Sequence, residues 1–268
     1  MRISNSEVFD LWEAWKRQRR VMFALMLQSI RARFFGNGLG YLVAVAWPLC
    51  HIVILVVTFS LLRRATPYGS STSLFLATGV VPFMTFSYLS RMMMFSIIRG
   101  RGLLAFPEVR VLDLVLASAA LETLAACLVA FVIVVIGWFS GVDVAPISIV
   151  DLCYAFAATL LLGLGMGFFN CVIVLAFPPW FTGYTLIIIL LWVSSGVFFV
   201  PDALPDFARN ILAYHPVLQC IEWTRSAYYE GYGDVMLNRP YPIVVGTVAL
   251  FLGLGLERAV RGHILARR

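Results

Sequence analysis

Residues 111–139 read VLDLVLASAALETLAACLVAFVIVVIGWF. Past Asp113 the only charged side chain in this run is Glu122, and the run exceeds the roughly 20 apolar residues that a helix needs to cross a ~30 Å hydrocarbon core. Five more apolar stretches lie on either side of it: Leu39 to Leu62, Leu74 to Ile98, Asp151 to Phe177, Phe181 to Val200, and Pro242 to Leu256 continuing to about 260. The last is the weakest, because its strictly apolar part is short. The pattern predicts an all-α membrane protein of six transmembrane helices forming one domain over residues 1–268.

Composition points the same way. A chain of 268 residues that is 61% hydrophobic and only 13% charged, with mean hydropathy +0.91, lacks the polar surface of a water-soluble domain. Most of its length lies in the apolar stretches, which leaves no room for a separate soluble catalytic domain. The polar, basic start of the chain does not read as a cleavable signal peptide. The five cysteines show no disulfide or metal spacing.

The basic residues set an orientation. With the N-terminus in the cytoplasm, 14 of the 20 Lys and Arg residues fall on that side, five fall opposite (Arg63, Arg64, Arg209, Arg225 and Arg239), and Arg91 lies within a span. This is the asymmetry of the positive-inside rule, and it predicts both termini in the cytoplasm. The net charge of +6 is thereby explained by topology. It attracts acidic membrane lipids and gives no reason to expect nucleic acid.

Three connecting segments carry functional expectations. From residue 9 to 35, apolar residues recur every three or four positions among arginines, with Trp12 and Trp15 beside Arg31 and Arg33. That is the composition of an amphipathic helix lying in the membrane interface, either a simple anchor or a collar around an entrance. The connection from Arg99 to Arg110 sets Leu103, Leu104 and Phe106 among Arg99, Arg101, Glu108 and Arg110, and contains Pro107. It suits a short element docking into a partner's groove, and equally a structural turn. The stretch 201–241 is rich in proline and aromatic residues and predicts two short helices, Asp206 to Tyr214 and Pro216 to Tyr229, dipping toward the outer leaflet before the last span.

Charged groups inside spans are costly and mark function by default. Glu122 stands about 16 Å into its helix and Arg91 about 10 Å from the end of its own, at 1.5 Å per residue. A pair between them is a structural tie or a polar lining. Other candidates for a pathway are Asn170, Trp47, Trp192, Tyr214, Trp223 and Arg225. Gly163, Gly165 and Gly167 fall inside an apolar span with no strand before them, so close helix packing explains them better than phosphate binding. No catalytic residue and no metal site can be assembled. The only lysine, Lys16, is outside any phosphate-loop context, so the chain cannot itself be an ATPase.

The order of these features resembles a known family. Ser29-Ile30-Arg31-Ala32-Arg33-Phe34-Phe35-Gly36, Leu39-Gly40-Tyr41-Leu42 and Trp47-Pro48-Leu49, then Leu103-Leu104-Ala105-Phe106-Pro107-Glu108-Val109 with Leu112-Asp113, and later His215-Pro216, Ile221-Glu222 and Arg225, are similar to the membrane subunits of type-two ABC exporters, in the capsular polysaccharide branch. One departure is Val43, where a tryptophan is expected after Gly-Tyr-Leu. The resemblance implies a homodimer in a bacterial inner membrane, bound to two nucleotide-binding subunits that hold ATP and Mg, while this chain holds no cofactor. It implies export of a lipid-linked, acidic capsular polysaccharide, contact with a periplasmic co-polymerase, and the 99–110 connection as the element coupled to the ATPase. Permeases for teichoic acid or O-antigen would share most of these features. A membrane-embedded enzyme on lipid-linked sugars would need a convergent acid, base or metal cluster, for which only Glu122 is available.

Overall fold

A computed structural model describes residues 5–33, 39–62, 66–106, 109–233 and 236–265. The described residues form helices joined by turns, with no strand among them. The α-helices are α1 (Asn5–Arg33), α2 (Leu39–Leu61), α3 (Thr72–Arg99), α4 (Val111–Phe139), α5 (Ile149–Ala176), α6 (Trp180–Ser194), α7 (Asp206–Leu212), α8 (Pro216–Ser226) and α9 (Pro240–Leu265). Among them α3, α4, α5 and the Pro240–Arg258 part of α9 are long and apolar enough to cross a membrane, while Ala46–Phe59 and Trp180–Ser194 are shorter apolar segments.

The two central helices are α3 and α5. Within their most apolar windows 67% and 61% of residues are buried, against 28% for α4, so α4 shows one side to the surroundings. Its exposed Leu124, Phe131, Trp138 and Phe139 suit a hydrocarbon medium. Glycines let the centre close up. A Cβ at Gly165 would stand 2.1 Å from the Gly246 carbonyl oxygen, and one at Gly253 2.7 Å from the Phe169 amide nitrogen, so α5 and α9 touch backbone to backbone. Gly163 and Gly167 turn the other way, toward Leu89 and Met93 of α3. One glycine run thus serves two neighbours, since positions four apart share a helix face and the residue between them does not.

Helix ends depart from the sequence pattern in instructive places. The first helix occupies Asn5–Arg33, beginning four residues before the expected start. The fifth apolar stretch is expected to run to Val200, yet α6 stops at Ser194 and Gly196 takes a positive φ of 77°. The last helix runs to Leu265, through Glu257 and Arg258, which hydropathy alone counts against it. Near the chain's far turns α7 and α8 end at Leu212 and Ser226, a turn earlier or less than expected; α8 opens with Pro216 in its first turn, where no helical N–H is lost.

The far ends of the helices are tied to one another. The Ser148 amide donates to the Ala227 carbonyl (3.1 Å), Tyr68 Oη donates to the Glu230 carbonyl (3.2 Å), and Arg239 lies 3.4 Å from Asp151 Oδ1. At the opposite end α1 packs on the start of α4 and on the 3-10 turn Gly100–Ala105.

Candidate functional site

The helix register of α2, α3 and α4 builds a cleft. Residues 81, 84, 85, 88, 92 and 99 share one face of α3, residues 122, 125, 126 and 129 one face of α4, and Val43, Trp47 and Pro48 one face of α2. They enclose about 410 Å³, within the range of small-ligand sites. The walls are mostly apolar, with Thr85, Tyr88, Glu122 and Arg99 as their polar members. Glu122 is buried, while Trp47 is 62% and Val43 37% exposed, so the cleft meets the surroundings along α2. Arg99 stands at the α1 end, its guanidinium carbon 3.9 Å from the Phe95 ring centroid. The structure therefore brings together Trp47, Glu122 and Arg99 from the residues singled out by sequence. Arg91, half-buried on α3, is not among those lining the cleft.

At the α1 end the 99–110 connection divides its apolar residues. Leu104 is buried and Leu103 half-buried against Val21, Met22, Leu25 and Met26 of α1 and Leu114 of α4. Phe106 is 60% exposed. A Cβ at Gly100 would meet Leu114 at 2.7 Å, so the turn hugs α4. Buried Asp113 holds the junction: its carboxylate accepts the Arg110 amide (2.9 Å) and the side-chain amide of Gln18 from α1. An aspartate in a helix's first turn is favoured by the exposed N–H groups there. Pro107 and Glu108 lie outside the described residues, as do the side chains of Trp15, Arg33 and Arg101. Arg110 and Arg31 are exposed, and Trp12 is 53% exposed with Lys16 Nζ 5.4 Å from its ring.

The remaining candidates sit in packed surroundings. Asn170 Oδ1 accepts from Trp180 Nε1 (2.9 Å) and pins the start of α6 to α5. Trp192 meets His51, Phe83 and Phe198 edge-on at 5.3, 4.5 and 5.4 Å, which joins α2, α3 and α6. Trp223 is buried at the far end beside Asp151 (3.4 Å). Tyr214 is exposed and its carbonyl accepts from the Tyr241 hydroxyl (2.9 Å).

Arg225 is wholly buried. Nη1 donates to the carbonyls of Gly196 (2.8 Å) and Phe199 (3.3 Å) and to Tyr232 Oη (3.3 Å), and Nη2 donates to Val197 (3.1 Å). Its carbon lies 3.9 Å from the Phe75 ring centroid. These carbonyls belong to the backbone that leaves the helix after α6, so the guanidinium supplies donors to buried carbonyls that have no helical partner. Glu222 lies 3.6 Å from Nη1 and accepts from Tyr232 Oη (3.0 Å). Burial pushes the Glu222 carboxyl up to about 7, against the opposing pull of Arg225 and of the Tyr232 hydrogen bond.

Residues that sequence reading passed over are Thr85 and Tyr88 in the cleft, Gln18 at the α1 junction, and Tyr232 beside Arg225. Thr85 and Tyr88 were visible in principle, as polar residues at helical spacing from Arg99. Gln18 and Tyr232 depend on contacts across 95 residues or around a loop, which periodicity does not carry.

No family model matches the chain. Curated relatives do, along most of their length. The polysialic acid transport protein KpsM of Escherichia coli is 29% identical over 241 residues, covering 90% of this chain and 93% of the relative. The capsule polysaccharide export inner-membrane protein CtrC of Neisseria meningitidis serogroup A is 28% identical, covering 89% and 90%, and BexB of Haemophilus influenzae, of the same description, is 26% identical, covering 89% of each. This chain is a homologue of the capsule polysaccharide export inner-membrane proteins. Each match covers about nine tenths of this chain.

Proposed function

We propose that this chain is the membrane-spanning subunit of an ATP-driven exporter that carries a lipid-linked, acidic capsular polysaccharide across the inner membrane. The observation that carries the reading is the near full-length similarity to a polysialic acid transport protein and to capsule polysaccharide export proteins of two other bacteria. The chain acts as a transport subunit, and ATP with Mg is bound and hydrolysed on a separate partner, present in two copies. In this reading six segments span the membrane: α2, α3, α4, α5, α6 with its non-helical continuation, and α9. Both termini face the cytoplasm, α1 lies in the interface, and α7 and α8 form the outer end beside a periplasmic co-polymerase. A cleft of about 410 Å³ is too small to thread a polymer, which supports a homodimer with the polymer route between two copies.

The 99–110 connection is then the contact for the ATPase, with Phe106 exposed toward it and Leu103 and Leu104 passing its movement to α1 and α4. Phe106→Asp tests this in membranes that also contain the neighbouring nucleotide-binding subunit. Loss of co-purification and of export, with the variant accumulating normally, is the expected result; normal association and export would move the contact elsewhere.

A further inference from the structure

We propose that the cleft between α2, α3 and α4 binds the head of the lipid-linked glycan, with its anionic group at Arg99 and its sugar hydroxyls against Glu122, Thr85 and Tyr88. This deepens the exporter reading and rests on it. The argument begins with the walls. A carboxyl group accepts hydrogen bonds from hydroxyls, and threonine and tyrosine hydroxyls both donate and accept. A guanidinium is suited to phosphate or carboxylate. Trp47, Tyr88 and the methionines Met84 and Met92 supply the apolar faces against which a sugar ring rests its C–H side.

Placement supports the same occupant. Arg99 ends α3 at the level of the α1 junction, where lipid head groups lie, and Tyr88 stands 11 residues deeper, about 16 Å at the helical rise. Glu122 is as far along α4 from Val111, so the two meet at one depth. The exposed edge at Val43 and Trp47 gives a lateral opening through which a hydrocarbon tail stays in the bilayer while the head enters. A hydrocarbon chain alone gives no reason for an exposed arginine, Arg99, in the wall. Another cavity, about 390 Å³ between α3, α4, α5 and α8, shows the contrast: its lining has no charged side chain, only Thr78, Thr224 and Tyr228 as hydroxyls among apolar residues. That lining suits lipid chains, and the α2–α3–α4 cleft suits a polar head.

The test uses the full-length protein in cells that supply the neighbouring export proteins and lack their own permease. Photoreactive benzoylphenylalanine is placed at Val43, on the cleft edge, or at Val193 of α6, which is 64% exposed away from it. Cells are labelled with radioactive phosphate and irradiated, and adducts are analysed by mass spectrometry for sugar. A sugar-bearing adduct at Val43, at least about tenfold stronger than at Val193, is expected. It should be absent from cells unable to make the polymer, and Arg99→Gln and Glu122→Gln should each weaken it severalfold in protein that runs as wild type on size exclusion. An adduct of equal strength without polymer identifies ordinary phospholipid and overturns the proposal, as does equal labelling at Val193. If either variant fails to accumulate, the labelling at Val43 in the otherwise wild-type chain still decides. Surface polymer measured in the same cells keeps the two readings apart. Restored export with no adduct overturns the cleft and leaves the exporter reading intact, whereas failure to restore export counts against the exporter itself.

Discussion

Two arginines of this chain stand in opposite circumstances. Arg225 is wholly buried, stacks on Phe75 and gives three backbone carbonyls and a tyrosine its hydrogen bonds. Arg99 is exposed, stacks on Phe95, and shares the wall of an open cleft with Glu122. The first site has consumed its chemistry in holding the fold. The second keeps charge on a surface that another molecule can reach. A buried guanidinium whose two terminal nitrogens bond backbone carbonyls is therefore poor evidence for a transport pathway, although on sequence alone Arg225 is a pathway candidate and Arg99 belongs to the coupling connection.

The comparison breaks most visibly at Arg225. Arg225→Met leaves three carbonyls and the Glu222 carboxyl without their partner, and removal of one member of a buried charged cluster costs about 3–5 kcal/mol. Loss of the monodisperse species in fluorescence-detected size exclusion is expected. Arg225→Lys should not restore it, because one ammonium cannot reproduce a planar fork bonded to several acceptors while stacked on a ring. A normally folded Arg225→Met protein would erase the distinction between the two sites.

The next largest effect comes from the close backbone approaches. Gly165→Ala places a methyl 2.1 Å from a carbonyl oxygen of α9, whereas Gly167→Ala meets the flexible Met93 sulfur at 2.4 Å. Overpacking of this kind costs about 1–3 kcal/mol, and thermal unfolding should show the loss concentrated at Gly165. At Gly79, a methyl would stand 3.0 Å from Arg225 Nη2 and 3.2 Å from the Val197 Cα, so Gly79→Ala should disturb the Arg225 cluster by about 1 kcal/mol.

These residues also show how far sequence reaches. The long spans were legible because apolar length is a local property, and even a glycine run in an apolar segment announces close packing. The direction in which each glycine faces was not legible: Gly163 and Gly167 meet α3 and Gly165 meets α9, which depends on what lies alongside. The early end of α6 was hidden for a related reason. Residues 195–200 are mostly apolar, and besides Gly196 with its positive φ it is Arg225, placed by a different helix, that holds the alternative backbone through bonds to its carbonyls. In the cleft, Glu122 stood out as an isolated charge, while Thr85 and Tyr88 became meaningful only when α2 and α4 closed around them.

Acid should strengthen the buried cluster. The Glu222 carboxyl is raised from its ordinary 4.5 to about 7 by burial, so the folded protein holds a proton there after the unfolded chain has released it. Stability is then greatest below about pH 4.5 from this group, declines as pH rises toward about 7, and levels off above. Thermal unfolding between pH 5 and 8 should show a downward trend of a few degrees, and Glu222→Gln should flatten it. A slope of the opposite sign would mean that Arg225 holds Glu222 ionised and that the pair is an ordinary salt bridge.

The smallest stability effect is expected at Arg99, and its smallness is the informative part. An exposed arginine stacked on phenylalanine contributes roughly 0.5–1 kcal/mol, so Arg99→Gln should unfold within a degree or two of the wild type. If Arg99 serves the cleft, export should nevertheless fall severalfold in the same variant, because an anionic head loses a cationic partner on that wall. Arg99→Lys keeps the charge and should recover part of the export. Parallel losses of stability and export in Arg99→Gln would instead make Arg99 a second Arg225, a residue whose charge is spent on the fold.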